Sequence, residues 1–507
     1  MTNINRPDLD MALMLGESII MVAEHEKAVT PVVSPGPVSD PSNELLLSIR
    51  HSWSEDLRVA SLNVIRAEYK SIIVIYKRGC SGQPQLLSHR VASLLSMSGE
   101  TTDVPVLVAG AGPVGMTAAL ALHARGIETA ILEAEPEDRD RSGSRAIYVH
   151  GTTLRTLERI HPGLGTDLVD EGLVWPTRRT LFRGKEVFNR TYDSAGGSGD
   201  IPHFTSVPQV VTERYMHEAL DQIGIDIHWE SEVVSVDSSS EGVRVETADD
   251  QEWWTEYLIG ADGGGSTVRK EIGSDFEGDQ SENAFIIADI EDEEIEDGHP
   301  DLERMFHYDA PETDGRNVLL VPFTGGWRLD IQCIEGDDPE ELSSEEQMRE
   351  FVRDIMGEEY TDGLKWISTY HFLQVMADSF VDDQRRVLLA GEAAHLLAPF
   401  GARGMNSGVA DADEAASAIA VALNARTDAV ARDEVELYAA RREKAAEYNL
   451  GAAGQALEYL QGDDPVTVLR KEVAAEMSDY FETAGEWLDD APYGPHGSPP
   501  IVSTGNY

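Results

Sequence analysis

The chain has 507 residues and carries 92 Asp and Glu side chains against 40 Lys and Arg, which gives a formal charge of −52. This length predicts two or three domains, and so negative a chain excludes nucleic acid and anionic membrane surfaces as partners. With only Cys80 and Cys333 and no apolar run of about 18 residues, the sequence excludes a disulfide framework, a cysteine-based zinc site and a membrane-spanning helix, so we expect a cytoplasmic protein.

The first 96 residues differ in charge from the rest of the chain. They hold nine basic and ten acidic side chains, so almost all of the negative charge lies beyond them. The acidic residues of the remaining part recur along its whole length, which is typical of a salt-adapted, haloarchaeal-type surface. We therefore predict a halophilic protein with an atypical N-terminal extension over residues 1–96. A start codon assigned too far upstream explains this extension, and a loosely structured regulatory segment is the alternative.

From Val104 the pattern becomes strand, helix, strand. The run VPVLVAG predicts a buried parallel strand, GPVGMTAALALHARG a helix, and IETAILEAE the next strand. In the GxGxxG between them, Gly110 permits a tight turn, Gly112 lets the backbone approach a pyrophosphate, and Gly115 lets the helix pack closely on the strand. Glu133 ends the second strand at a spacing typical of a ribose-binding carboxylate. Together these features predict a dinucleotide site, but they do not separate NAD from FAD.

Helical and alternating segments follow in turn. TTLRTLERI and TERYMHEALDQIG have helical periodicity, whereas RTLFRGKEVFNRTY and IHWESEVVSVDSSSEGVRVETADD predict antiparallel strands. A second sheet-rich region is predicted near residues 275–380, with helices near 408–424, 432–460 and 465–482. Parallel α/β pieces that alternate with antiparallel pieces predict a nucleotide-binding domain with a second domain inserted in sections.

Two later loops carry further candidate residues. YLIGADGGGSTVRKEIG leads a strand into Asp262 and Gly263, where a carboxylate can orient a phosphate or ribose, although DG is also common turn chemistry. GEAAHLLAPFGARGMNSG brings glycine-rich backbone and the positive end of a following helix towards a ligand. In that stretch Glu392 can accept hydrogen bonds from a polyol chain, and Asn406 or Ser407 is predicted to cap the helix.

These three motifs, in this order, resemble the FAD-dependent class A aromatic monooxygenases, the para-hydroxybenzoate hydroxylase-like family. SRAIYV and VPQVVTER agree with that family's pattern at Arg145 and Gln209. The resemblance covers residues 104–425 and implies an α/β fold with a Rossmann-like FAD-binding domain (GR2-type), an inserted antiparallel-sheet substrate domain and C-terminal helices. The implied division is a FAD-binding domain over 103–175, 206–274 and 383–425, a substrate domain over 176–205 and 275–382, and a C-terminal helical segment over 426–507.

The resemblance further implies non-covalently bound FAD, with NAD(P)H as co-substrate. Glu392 stands where the family commonly has Asp, which changes the reach of the carboxylate but keeps the acceptor. Arg403 is either a cation beside the flavin or substrate, or a surface salt bridge, and His395 is interpreted as a packed structural histidine. The implied cofactor-binding residues are Gly110, Gly112, Gly115, Glu133, Arg145, Gln209, Asp262, Gly263, Glu392, Pro399, Gly404, Met405 and Asn406.

The implied activity is hydroxylation of an aromatic, phenolic small molecule by O₂ through a C4a-hydroperoxyflavin. Arg328, Tyr370 and His371 are polar candidates in the substrate domain, and the sequence identifies no catalytic base. One alternative is a FAD-dependent reductase or dehydrogenase of a polyene or quinone without oxygenation. Another is a flavin-binding sensor that uses residues 1–96 as a partner-binding arm. A monomer or a homodimer is compatible with either.

The acidic surface makes stability depend on salt. We expect the thermal unfolding midpoint, followed by circular dichroism, to rise steeply between about 0.1 M and about 2 M KCl, because the Debye length shortens from about 10 Å to below about 3 Å. Sucrose is the control, since an excluded osmolyte stabilises proteins without screening charge. A midpoint that is constant in KCl, or that rises equally in sucrose, contradicts the salt-adapted interpretation.

Overall fold

The computed structural model describes residues 102–139, 141–192, 201–293, 295, 302–462 and 464–493, together with four short strands nearer the N-terminus. The chain divides into one unit over Met1–Gly99 and a second over Glu100–Tyr507. In the first unit two antiparallel pairs form, β1 (Val64–Ala67) with β2 (Lys70–Ile73) and β3 (Lys77–Arg78) with β4 (Pro84–Gln85). Otherwise the predicted extension over residues 1–96 lies outside the described residues and stays a prediction.

The second unit contains a seven-stranded sheet with a parallel centre. Its strands are β5 (Thr102–Ala109), β6 (Thr129–Leu132), β11 (Ile227–His228), β12 (Val233–Ser238), β13 (Val243–Thr247), β14 (Glu252–Gly260) and β20 (Val387–Leu389). Their order is β11-β6-β5-β14-β13-β12, and β20 pairs with the end of β14. Strands β5, β6, β11, β14 and β20 pair in parallel, whereas β12 and β13 are antiparallel.

The core of this sheet forms where the sequence is most apolar. Val106 and its neighbours in β5 are fully buried, as expected of a strand covered on both faces. Helix α1 (Pro113–His123) begins with proline, whose missing N–H is no loss in a first turn. It packs against α8 (Arg403–Leu423) and the sheet. Burial of large side chains such as Leu120 and Met116 contributes roughly 1.5–3 kcal/mol each.

An eight-stranded sheet forms the second layer. Its strands are β8 (Thr177–Phe182), β9 (Lys185–Thr191), β15 (Phe276–Glu291), β16 (Glu303–Ala310), β17 (Arg316–Phe323), β18 (Gly326–Gln332), β19 (Leu364–Ala377) and β21 (His395–Leu396). The order is β21-β19-β15-β18-β17-β16-β8-β9. Neighbours are antiparallel except for β8 and β16, which are parallel. The predicted fold class, an α/β domain with antiparallel-sheet sections and C-terminal helices, is confirmed.

The remaining elements connect these two sheets. A short antiparallel pair joins β7 (Tyr148–His150) to β10 (Phe204–Ser206). The other helices are α2 (Gly151–Ile160), α3 (Leu164–Glu171), α4 (Gln209–Ile223), α5 (Thr267–Glu271), α6 (Pro339–Leu342), α7 (Glu345–Ile355), α9 (Asp428–Gln461), α10 (Pro465–Met477) and α11 (Glu482–Asp490). Within the described ranges no helix is both long and apolar enough to cross a bilayer.

One helix prediction needs correction, and one helix was not predicted. The sheet-rich region near residues 275–380 also contains α7, which Ser344 caps by accepting from the Gln347 N–H. The pattern near 465–482, expected as one helix, forms α10 and α11 on either side of a turn at Ser478–Phe481. In the first case the capping signal was present in the sequence, and in the second the apolar spacing continued across the turn.

Helix α9 is the longest in the described chain and touches both sheets. Tyr438 on this helix donates from its hydroxyl to the Leu389 carbonyl of β20 at 2.6 Å. Near the opposite end, the amide of Asn317 on β17 donates to the Leu460 carbonyl at 2.9 Å. The helix therefore links the seven-stranded sheet to the eight-stranded sheet along its length.

Helix α11 is fastened to the eight-stranded sheet by a buried carboxylate. Asp489 is fully buried and accepts hydrogen bonds from Arg178, from Arg304 at 2.7 Å and from the Thr180 hydroxyl at 2.7 Å. The adjacent Asp490 contacts Arg178 at 2.6 Å, but its side chain is 39% exposed. Asp489 is therefore the buried partner of these guanidinium groups, whereas Asp490 is partly hydrated.

Replacing these two aspartates separately tests that difference. We expect Asp489→Asn to lower the free energy of unfolding by about 3 kcal/mol, since it leaves buried cations without their carboxylate. Asp490→Asn, the matched control, should cost less than about 1 kcal/mol because its partner is reached at the surface. Urea unfolding at constant high salt measures both. Equal losses in the two variants would show that burial of Asp489 does not set its contribution.

Candidate functional site

A cavity of about 1570 Å³ lies where the loops of the seven-stranded sheet meet one face of the eight-stranded sheet. Alternate residues of strands β15 to β19 line it, as the two-residue repeat of a pleated sheet requires. The predicted cofactor residues that line it are Gly112, Arg145, Gln209, Gly263, Glu392, Pro399, Gly404 and Met405. Those that lie behind its wall are Gly110, Gly115, Glu133, Asp262 and Asn406.

The glycine loop after β5 is shaped by two close backbone approaches. Gly110 has φ +100°, and a Cβ there would lie 2.3 Å from the Ala261 carbonyl oxygen. A Cβ on Gly115 would lie 1.9 Å from the Gly110 carbonyl oxygen. At Gly112, by contrast, a Cβ would meet no protein atom within 4 Å, and this residue faces the cavity. The loop is therefore closed towards the protein and open towards a ligand.

Glu133 holds this loop from the end of β6. Its buried carboxylate accepts from the Ala111 N–H at 2.6 Å and from the Glu135 N–H at 3.0 Å, and Arg139 lies at 3.1 Å. These contacts fix the turn above the helix start. The predicted contact of this carboxylate with a ribose stays a prediction.

Asp262 and Gly263 have different roles in the loop after β14. The Asp262 carboxylate accepts from the Ser266 hydroxyl at 2.5 Å and from the Val268 N–H at 3.0 Å, so it holds the start of α5. Gly263 has φ +79°, lines the cavity and has open space where a Cβ would stand. Within this loop Ala261 and Gly263 line the cavity, whereas the Asp262 carboxylate is used inside the protein.

Arg145 and Glu392 place opposite charges on the cavity wall. Arg145 has φ +51° and is exposed, and its carbonyl accepts from Arg328. Glu392 is accessible from the cavity, and no hydrogen bond within the described chain uses its carboxylate. Surrounding protein raises the pKa of Glu392 by burial, while His395 and Arg145 oppose the increase. Both charged groups are thus available to a polar ligand.

Gln209 begins α4 at the same wall. Its amide donates to Glu213 at 2.8 Å, and Glu213 in turn accepts from Arg141 at 3.2 Å. The side-chain Oε1 of Gln209 accepts from the Ala146 N–H at 3.4 Å, next to Arg145. These polar contacts hold the segment that leads into β7 against the start of α4.

The start of α8 differs from the predicted helix cap. The helix begins at Arg403 after Ala402, which has φ +52°, so neither Asn406 nor Ser407 is its cap. Instead the Asn406 amide bridges the chain: it donates to the Tyr148 and Ala402 carbonyls and accepts from the His150 N–H at 3.0 Å. Since this side chain is buried and fully used, its role is to position the loop.

Arg403 is buried, so its interpretation as a surface salt bridge is wrong. It donates to the Asn449 side chain at 3.0 Å and to the Tyr493 carbonyl at 2.9 Å, and it lines the cavity. Burial lowers the pKa of Arg403 to about 10. A cation without a carboxylate partner among the described residues therefore stands at the positive end of α8.

His395 is a packed, hydrogen-bonded residue, as expected. Its Nε2 lies 2.7 Å from Asp411, which also accepts from the Gly391 N–H and from Arg442. Burial alone would raise the pKa of Asp411, but Arg442 and His395 lower it to about 2. The sequence analysis missed Asp411 and Arg442. The available signal was one acidic residue on the otherwise apolar face of the Ala-rich helix.

The substrate-side candidates separate by strand face. Arg328 and Tyr370 line the cavity, whereas His371, next along β19, does not, because successive side chains point to opposite faces. Arg328 also pairs with Asp330 at 2.7 Å. The sequence analysis missed His150, whose Nε2 donates to the Gly401 carbonyl and whose pKa burial lowers to about 4.

The family described as FAD binding domain matches residues 103–451. The chain is 30% identical over 361 residues to a 6-methylpretetramide 4-monooxygenase of Streptomyces rimosus, covering 68% of this chain and 60% of that protein. It is 29% identical over 311 residues to a dialkyldecalin synthase of Streptomyces rugosporus, covering 61% of this chain and 63% of that protein. The chain thus spans about three fifths of the length of these curated relatives.

Among solved structures, the p-nitrophenol 4-monooxygenase of Pseudomonas putida DLL-E4 is similar to this chain with a TM-score of 0.63 and 22% identity. The likeness covers 78% of this chain and 100% of that one, and it shows the fold alone. The cavity also fits an extended dinucleotide. A Cβ at Gly112, Gly263 or Gly404 meets no protein atom within 4 Å, so bare backbone is presented at three points.

Two glycine variants separate folding from cofactor binding. We expect Gly112→Ala to fold normally but to weaken FAD binding about tenfold or more, equivalent to about 1.4 kcal/mol, because the methyl group occupies ligand space. Gly115→Ala should lower the free energy of unfolding by roughly 1–3 kcal/mol through its contact with the Gly110 carbonyl. FAD titration and urea unfolding measure the two effects. Unchanged FAD affinity in Gly112→Ala would remove that residue from the site.

Proposed function

We propose, from the premise that the chain belongs to the FAD-dependent class A aromatic monooxygenase family, that it uses NAD(P)H and O₂ to hydroxylate an aromatic, phenolic small molecule. The observation that carries the proposal is the single cavity that joins the glycine loops to the apolar face of the eight-stranded sheet. A cofactor placed along the loops therefore ends against a surface suited to an aromatic ring.

We assign the FAD contacts by the position of each group around the cavity. Backbone at Gly112 and Gly263 approaches the cofactor, while Arg145, Gln209 and Glu392 supply polar side chains. The residues behind the wall hold the cofactor-binding loops in place; Glu133 and Asn406 do so through hydrogen bonds to the backbone. The full proposed set is Gly110, Gly112, Gly115, Glu133, Arg145, Gln209, Asp262, Gly263, Glu392, Pro399, Gly404, Met405 and Asn406.

Bound FAD supplies the redox chemistry, accepting reducing equivalents from NAD(P)H and activating O₂. The chain's own residues exclude water and orient the substrate. Phe285, Leu319 and Val321 present apolar side chains to the cavity, which keeps the reaction site dry. At its other side Arg403 and the start of α8 provide positive potential where negative charge develops.

A second candidate is a FAD-binding catalyst that inserts no oxygen, such as a reductase or dehydrogenase of a polyene or quinone. One similar protein is named a synthase and not a monooxygenase. The two candidates use the same cofactor site and differ in the fate of O₂.

We further propose the domain division into 103–175, 206–274 and 383–425 for FAD, 176–205 and 275–382 for substrate, and 426–507 as a helical segment. The protein is proposed to be cytoplasmic and to act as a monomer or a homodimer. Its proposed partners are an aromatic small molecule, O₂ and NAD(P)H, without nucleic acid.

The fate of molecular oxygen tests the proposed reaction. We expect the FAD-loaded protein, in high salt with NADH or NADPH, to incorporate one atom of ¹⁸O₂ into a phenol drawn from a panel of mono- and polycyclic phenols. Anaerobic mixtures and heat-inactivated protein are the controls. A reduced or dehydrogenated product that contains no label, from a quinone or polyene, would establish the second candidate instead.

A further inference from the structure

Three consecutive residues ahead of β7 lie on one row of the eight-stranded sheet. Asp289 of β15 is the register partner of Arg328 on β18 and of Trp366 on β19, the strands on either side of it. Opposite residues of neighbouring strands share a face of the sheet, and Arg328 and Trp366 line the cavity. We call these three residues the anchoring row, because the segment Gly143–Arg145 is held against them.

The first two residues of the segment contact two members of the row. A Cβ on Gly143, which has φ +88°, would overlap the Trp366 ring, so the backbone lies directly against that ring. Next, Ser144 donates twice to the Asp289 carboxylate, from its N–H at 2.6 Å and from its hydroxyl at 2.7 Å. Both Ser144 and Asp289 are buried, and the low local dielectric strengthens these hydrogen bonds.

Arg145 follows in a left-handed conformation, with φ +51°. The peptide groups on both sides of it are hydrogen-bonded: the Ser144 carbonyl accepts from the Gln209 N–H at 2.9 Å, and the Arg145 carbonyl accepts from Arg328 of the anchoring row. A residue with a side chain rarely takes this conformation unless its surroundings fix it, and such residues cluster at functional sites. The anchoring row and the start of α4 therefore impose the backbone conformation of Arg145.

The imposed conformation presents the Arg145 side chain to the cavity. This side chain is exposed and lines the cavity, and no hydrogen bond among the described residues uses its guanidinium. All five of its N–H donors are thus available to a ligand. The segment spends its backbone groups on the protein and keeps this one side chain for the cavity.

Asp289 is matched to Ser144 in charge as well as in position. Burial raises the pKa of Asp289, and the two hydrogen bonds from Ser144 oppose that rise. Arg328, the register partner of Asp289, donates to both carboxylate oxygens of Asp330, at 2.7 and 3.1 Å. Because a buried carboxylate without hydrogen bonds is costly, the contact between Asp289 and Ser144 holds the segment in one position.

We propose that Asp289 is a positioning residue for FAD: from the eight-stranded sheet it fixes Ser144 and thereby sets the backbone conformation that presents the Arg145 side chain to the cofactor. The inference rests on the assignment of Arg145 to the FAD site under the proposed function. It extends that site to a residue that does not line the cavity. The sheet assigned to the substrate then also determines how firmly the cofactor is held.

A double-mutant cycle on FAD affinity tests the proposal without turnover. The dissociation constant is measured from flavin fluorescence as the FAD-loaded protein is diluted at fixed high KCl. We expect Arg145→Ala and Asp289→Ala each to weaken FAD binding about fivefold or more, and the double variant to stay within about twofold of Arg145→Ala, because Asp289 acts through Arg145. Equal weakening by Asp289→Ala in both backgrounds, or an unchanged dissociation constant in either single variant, would overturn the proposal.

Two further variants separate positioning from a general loss of stability. Asp289→Asn keeps an acceptor for the Ser144 N–H and gains a donor for its hydroxyl oxygen, so we expect FAD affinity within about threefold of the unaltered protein. Asp337→Ala is the matched control and should leave FAD affinity unchanged, since this carboxylate pairs with Arg316 at 2.6 Å and does not line the cavity. A loss in Asp289→Asn or in Asp337→Ala as large as that in Asp289→Ala contradicts the assignment.

Ser144→Ala keeps the test decisive if Asp289→Ala does not fold. It removes the hydroxyl and retains the backbone N–H that donates to Asp289. We expect FAD binding to weaken about two- to threefold, as the loss of one hydrogen bond allows, and this effect to disappear in the Arg145→Ala background. The same weakening in both backgrounds would show that Ser144 does not act through Arg145.

The outcome is separable from that of the oxygen-labelling experiment. Coupled losses of FAD affinity at Asp289 and Arg145 without ¹⁸O incorporation would leave the positioning role standing and remove the hydroxylase function. Incorporation of ¹⁸O, together with independent effects of Asp289→Ala and Arg145→Ala on FAD affinity, would leave the hydroxylase standing and remove the positioning role.

Discussion

The site depends on the alignment of three parallel strand ends. Ala109 of β5 is paired with Gly260 of β14, and Gly260 is paired with Leu389 of β20. Each of these residues is followed at once by one of the three glycine-bearing loops. Because carboxyl ends of adjacent parallel strands meet at one edge of a sheet, segments separated by well over one hundred residues become neighbours there. Burial of these strands on both faces fixes that register, since a slip would place the loops at different heights.

The three glycine-bearing loops at this edge could be predicted from the sequence because each motif is local. Strand, loop and helix follow within a few residues, so the glycine spacing identifies the loop without knowledge of distant contacts. The fold class followed from the alternation of such units with antiparallel segments. The support behind the loops was harder to predict: Asp411 and Arg442 meet only when α8 and α9 pack, and the Asn406 contacts require β7 beside α8.

The other half of the cavity could not be predicted for a related reason. The pairing of Arg178 with Arg304 arises from a parallel contact between strands far apart in sequence, and no local pattern encodes which strands become neighbours. Likewise, the register decides that Tyr370 and not His371 faces the cavity. The start of α8 was misplaced because Ala402 takes a left-handed conformation without glycine or a polar cap.

The charge of the cavity wall opposes the charge of the whole molecule. The chain carries −52 formally, yet six arginines and only four carboxylates line the cavity. Surface carboxylates are hydrated and screened by salt, whereas the buried guanidinium groups of Arg304, Arg328 and Arg403 act at short range in a medium of low dielectric constant. The interior can therefore attract an anion that the surface repels, and high salt reduces the repulsion more than the attraction.

Helix α9 has a mechanical consequence. Its 34 residues extend about 50 Å at 1.5 Å per residue, and its hydrogen bonds to Leu389 and Asn317 anchor it to both sheets. A hinge between the sheets would have to bend this rod or break those anchors. Rotation of one sheet against the other would therefore break contacts with this helix, which opposes a hinged opening of the cavity.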